Sequence, residues 1–126
     1  MKQNSTFSLN DRLRSFTFAF RGLKFMLQSQ HNAWIHLLAT IAACSLGLLF
    51  RVTASEWCLL VLAVGSVWTS EAFNTAIECL TDLLSPEFHP LAGRAKDVAA
   101  AAVLISAIGA LVIGLLIFVP HLLSAM

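Results

Sequence analysis

The sequence predicts an all-α integral membrane protein, with three transmembrane helices preceded by an N-terminal amphipathic surface helix. Two features of composition and one of pattern carry that expectation. Of 126 residues, 58% are apolar, against ~45–50% in ordinary soluble domains. Only 12% are charged, where ~25% is typical. Three stretches are long and apolar enough to cross a hydrocarbon core of ~30 Å, which takes ~20 helical residues. This excludes a disordered chain, a disulfide scaffold and an ordinary cytosolic enzyme. Residues 1–126 read as a single membrane domain, without repeat or linker. A net charge of +1 and long uncharged runs also exclude nucleic acid as a partner. Cys44, Cys58 and Cys79 lie far apart, with no CxxC and no histidine spaced for zinc, and read as buried thiols.

The first element, about residues 8–28, is a surface helix. Leu9, Leu13, Phe16, Phe20, Leu23 and Leu27 alternate in spacings of four and three, which at ~100° per residue confines them to ~80° of arc. Arg14 and Arg21 lie off that stripe, and Ser8 with Asp11 makes an N-cap. Such a helix lies in the headgroup plane with its apolar stripe inward and its basic side chains snorkelling out. No continuous apolar core occurs in the first 30 residues, so a signal peptide is not expected.

The first span, residues 33–50, is uncharged unless His36 is protonated, with Asn32 and Arg51 at the two interfaces. The second, residues 57–82, is apolar through Thr69 and then carries Glu71, Glu78 and Asp82. The third, residues 98–119, is almost wholly Ala, Val, Leu, Ile and Gly, with Pro120 marking its end. Lys2, Arg12, Arg14, Arg21 and Lys24 supply five of the eight basic residues. The loop after the first span holds only Arg51, and the loop after the second holds Arg94 and Lys96. The positive-inside rule therefore makes the N terminus and the second loop cytoplasmic.

The acids of the second span are the strongest functional signal, because a charge at the centre of a span costs ~2.5–3.5 kcal/mol on insertion scales. Advancing ~100° per residue puts Glu71, Asn74, Thr75, Glu78 and Asp82 on one stripe about 100° wide. Along the axis, Glu71 lies ~16 Å deeper than Asp82. Asn74 or Thr75 alone would serve as interhelical glue. Two glutamates on one face would repel unless a proton or a cation intervened, which points to chemistry. The loop from Ser85 to Asp97 contains two prolines and a glycine, and a new helix is expected near Gly93 or Arg94. Its N-terminus, beside Arg94 and Lys96, suits phosphate. Carboxylates able to bind metal and an anion site at one membrane face fit a magnesium nucleotide meeting a membrane-embedded acceptor. Neither a GxxxxGK[ST] loop nor a protein-kinase signature is present.

Glu71-Ala-Phe-Asn74-Thr-Ala-Ile-Glu78, then Asp82, then Gly93-Arg-Ala-Lys96-Asp97 and Ala101-Ala-Val-Leu104 together resemble the prokaryotic diacylglycerol kinase family, which includes the undecaprenol kinases. The likeness runs from about Arg12 to Val119. Asn32, Ile35, His36, Ser85-Pro86-Glu87 and His89-Pro90-Leu91 resemble the undecaprenol branch, while Gly93-Arg94 is at home in either. The resemblance implies a homotrimer in the bacterial inner membrane that transfers the γ-phosphate of ATP, with Mg2+, to a lipid hydroxyl. It makes Glu71 the general base with Asn74 beside it, and sets Glu71 and Asn32 against the lipid. It makes Glu78 the ligand of the magnesium that bridges the ATP phosphates, and puts Glu87, His89, Lys96 and Asp97 at the nucleotide. One departure stands out: counting from Gly22, the family's second metal-binding glutamate falls at Gln30, a neutral amide.

The alternative from another class is a non-enzymatic membrane subunit or ion-coupled carrier, with Glu71 and Glu78 as a carboxylate relay. A carrier has no use for the Lys96 and Asp97 cluster, which separates the two readings.

Overall fold

A computed structural model describes residues 6–126, so that Lys2 and its share of the N-terminal charge lie outside the described residues. Four helices follow in order: α1 (Leu9–Ser29), α2 (His31–Leu49), α3 (Ala54–Leu84) and α4 (Pro90–Ala125). Helices α2, α3 and α4 are each long and apolar enough to cross a membrane.

Helix α1 begins as expected, with the Ser8 hydroxyl accepting from the Asp11 backbone N–H at 3.4 Å. It ends at Gln30, one extended residue (φ −117°, ψ 118°) that turns the chain directly into α2. Against the bundle α1 sets Met26, with Ala19 and Gly22 sharing a groove with Ala72, Thr75 and Ala76 of α3. That side lies about 100° around the helix from the Leu9 to Leu27 stripe. Leu9, Leu13, Phe16 and Phe20 remain more than half exposed, available to lipid.

Helix α2 closes with a Schellman turn. The Val52 N–H donates to Gly47 C=O (3.1 Å) and the Arg51 N–H to Leu48 C=O (3.3 Å), with Arg51 in the left-handed region at φ 50°. The turn buries Val52 against Leu60 and Ile117, and Phe50, Trp57, Ile113 and Phe118 complete this cluster. Thr53 and Glu56 then start α3 with a reciprocal capping box. Gly47 is required here: a Cβ at this position would stand 2.6 Å from the Trp57 ring.

The expected helix boundaries shift at both ends of α4. Pro120 does not end it, and the helix continues to Ala125. A proline inside a helix forfeits one hydrogen bond, but the turn beyond is held from outside. His121 Nε2 lies 3.0 Å from Glu56 Oε2 and its ring stacks on Phe50 at 6.0 Å. The helix also starts earlier than Gly93, at Pro90, because proline's fixed φ suits the first helical position. The three cysteines, expected to be buried, are exposed on the chain. In lipid no hydrophobic force drives small apolar side chains toward the protein interior.

Helices α3 and α4 form the most extensive pair. A hydrogen bond between the Ser70 and Ser106 hydroxyls (2.6 Å) locks them at the level of Glu71.

Candidate active site

The polar stripe of α3 is a gradient of burial. Glu71 is fully buried at 0% exposure, Asn74 and Thr75 are buried, Glu78 is half-buried and Asp82 is exposed. Each side chain has a definite neighbour. Glu71 Oε2 lies 3.3 Å from His36 Nε2 on α2, whereas its Oε1 has no hydrogen-bond partner among the described residues. The Thr75 hydroxyl donates back to the Glu71 carbonyl at 2.9 Å. Trp68 Nε1 donates to Thr40 Oγ1 (2.9 Å), which in turn donates to the His36 carbonyl (2.7 Å), so α2 is fixed to α3 one turn from the contact.

Two turns from Glu71, toward Asp82, the Glu78 carboxylate receives two amides. Gln30 Nε2 donates to Oε2 at 2.8 Å and Asn74 Nδ2 to Oε1 at 3.3 Å, leaving the buried Asn74 Oδ1 unpartnered. A carboxylate held only by uncharged amide donors, with an orphaned carbonyl oxygen beside it, fits a hard divalent cation. Rotating the amides would turn oxygen toward the ion in place of N–H. No three His, Cys, Asp or Glu residues cluster as a cage among the described residues. Magnesium needs only one or two carboxylates when phosphates and water supply the rest.

Beyond Asp82 the chain folds over a cavity of about 240 Å³ lined by Asp82, Glu87, His89, Gly93 and Lys96, among others. Lys96 donates to Asp82 Oδ1 across the cavity. His89 Nδ1 accepts from the Leu91 N–H at 3.1 Å, capping α4. Because α4 starts at Pro90, Arg94 and Lys96 lie in its second turn and not at its N-terminus, so the expected pairing of a helix end with two cations is not formed. Lys96 still reaches the cavity, while Arg94, Asp97 and Asn32 are exposed on the chain. On the other side of Glu71, an apolar groove of about 300 Å³ runs from His36 past Ala39, Ala43, Val67, Ala107 and Ala110.

The structure thus pairs Glu71 with His36, joins Gln30, Asn74 and Glu78 in a second group two turns along the same face of α3, and gathers Glu87, His89 and Lys96 in a third toward the end of α3. Sequence reasoning passed over His36 as a partner of Glu71. The available signal was a titratable ring inside an otherwise uncharged span.

Residues 17–118 match the family described as prokaryotic diacylglycerol kinase. The chain belongs to that family and is a lipid kinase. It is similar to the undecaprenol kinase of Bacillus subtilis (strain 168), with 40% identity over 90% of this chain and 93% of that protein. It resembles the diacylglycerol kinase of Synechocystis at 36% identity, over 90% of this chain and 66% of the relative. The diacylglycerol kinase of Escherichia coli (strain K12) is 32% identical over 94% of this chain and 97% of its own. Membership of a kinase family removes the carrier alternative.

Proposed function

We propose that the chain phosphorylates undecaprenol at the cytoplasmic face of the bacterial inner membrane, using magnesium ATP. The observation that carries this reading is the buried Glu71 carboxylate, with one oxygen held by His36 and the other unclaimed. As the lipid oxygen attacks the γ-phosphorus, the hydroxyl proton passes to Glu71 Oε1. The new O–P bond forms while the bond to the ADP oxygen breaks. Asn74, one turn along α3 from the base, ties to Glu78. Glu78, with Asn74 and Gln30 through their amide oxygens, would hold the magnesium, which when bound offsets the charge of the β- and γ-phosphates. Lys96 exchanges Asp82 for phosphate, Glu87 and His89 contact the nucleotide around the same cavity, and Asp97, exposed next to Lys96 in the chain, reaches it from outside that lining.

The acceptor's hydrocarbon lies along the groove that ends at His36, with Asn32 near its head. Undecaprenol is preferred to diacylglycerol because the undecaprenol kinase is the more similar relative, at 40% against 36% and 32%. The N terminus is cytoplasmic, as its basic residues require. The kinase acts as a homotrimer, whose contacts would use the apolar faces that a single chain leaves open.

The test is ATP turnover by purified protein in detergent with magnesium, offered each lipid separately. Turnover dependent on undecaprenol is expected. A higher kcat/KM with diacylglycerol in the same micelles reverses the substrate, and no turnover with either lipid defeats the reading.

A further inference from the structure

We infer that His36 is a positioning residue for the base: its ring nitrogen holds one oxygen of Glu71 so that the other faces the incoming hydroxyl. This rests on the reading of Glu71 as proton acceptor.

A carboxylate serving as proton acceptor is ionised and only accepts hydrogen bonds, which makes His36 Nε2, 3.3 Å from Oε2, the donor in that role. The histidine is itself held. Its ring meets Trp68 edge-on at 6.3 Å, and its carbonyl receives the Thr40 hydroxyl that Trp68 also binds. The side chain on α2 is therefore fixed by the same helix that carries Glu71. Among the described residues no other titratable group lines the groove: α3 presents Leu60, Ala63, Val64 and Val67 there, and α4 presents Ala107, Ala110 and Leu111. The neighbouring acid on the stripe, Glu78, is engaged by Gln30 and Asn74. His36 thus acts on Glu71 alone. Without it, a fully buried carboxylate would have two unpartnered oxygens and several rotamers in which neither points at the acceptor. Misplacing a reacting group by ~1 Å can cost ~10²-fold in rate.

The experiment is a double-mutant cycle on the full chain in detergent, with undecaprenol and saturating magnesium ATP. His36→Phe keeps the packing on Trp68 but loses the donor, and should lower kcat by roughly 10- to 100-fold with KM for ATP unchanged. His36→Gln, whose amide reaches as far as Nε2, should recover most of the rate, whereas the shorter His36→Asn should not. In a Glu71→Gln background, His36→Phe should cost nothing further, because its effect runs through Glu71. Parental kcat in His36→Phe overturns the inference. So does a double variant slower than Glu71→Gln by the full single-variant factor, which is the signature of packing alone. Should His36→Phe fail to elute like the parent on size exclusion, the Gln and Asn variants decide, and equal rates for the two overturn it. Near-parental turnover in Glu71→Gln defeats the base assignment itself, and the inference falls with it. A Glu71→Gln slowed by ~10²–10⁴, with His36→Phe additive on its residual rate, defeats only the role of His36.

Discussion

Gln30, the extended residue that joins the surface helix to α2, binds Glu78 across 48 residues of sequence, with its amide nitrogen 2.8 Å from the carboxylate. A glutamate at this position, as the family resemblance leads one to expect, would set two like charges together and need a cation between them. The amide makes the contact stable without one.

Gln30→Glu should therefore lower the magnesium concentration for half-maximal turnover, Gln30→Ala should raise it modestly, and Glu78→Ala should abolish activity. A magnesium titration at saturating ATP orders the three variants. If both Gln30 variants titrate like the parent, Gln30 has no place in the metal shell.

Replacing Glu71 by Gln keeps shape and hydrogen-bonding reach but removes the proton acceptor. General-base catalysis is worth ~10²–10⁴ in rate, and turnover should fall by that order while binding of a fluorescent ATP analogue persists. Loss of nucleotide binding together with turnover would instead place Glu71 in the ATP site.

Thr53 precedes α3 and Ser85 follows it, so the two should lie on opposite sides of the membrane. In a background with Cys44, Cys58 and Cys79 changed to alanine, single cysteines at Thr53 and Ser85 should react with an impermeant maleimide from opposite faces of sealed vesicles. Modification of both from one face contradicts three spans.

Gly47→Ala tests the contact between α2 and α3. The added methyl would stand 2.6 Å from the Trp57 ring, which must move, and overpacking of this kind costs ~1–3 kcal/mol. Unfolding in a denaturing detergent, followed by tryptophan fluorescence, should shift to lower denaturant. Adding Trp57→Leu should relieve the clash, and an unshifted single variant would show that the two helices are farther apart.

The stripe on α3 was legible from the sequence because polar residues inside an apolar span stand against a silent background, and helical periodicity alone places them on one face. The Ser8 cap was legible because its partner Asp11 is three residues away. The links from His36 to Glu71 and from Gln30 to Glu78 span 35 and 48 residues, and no local spacing encodes how α2 and α1 rotate against α3. Pro90 and Pro120 show the same limit from two sides. As a helix breaker each marks a boundary, yet Pro90 occupies a first-turn position where it starts the helix. Pro120 is carried through by His121, whose partner Glu56 is 65 residues distant. The cysteines misled because burial rules learned in water do not sort side chains in lipid.

The length of α3 has a further consequence. Its 31 residues extend ~46 Å at ~1.5 Å each, well beyond the ~30 Å of hydrocarbon they cross. With the outer boundary at Ala54 and the topology proposed above, Glu71 lies ~26 Å along the axis, in the last layer of oil, and Glu78 lies beyond it among the headgroups. The phosphate donor need never enter the hydrocarbon, and a polyprenol or glycerol hydroxyl need barely leave it. A host membrane a few ångströms thicker would draw the base away from water and nucleotide, while a thinner one would flood it. On the base and topology proposed above, bilayer thickness would set how far the base stands from water, and with it the rate of phosphoryl transfer.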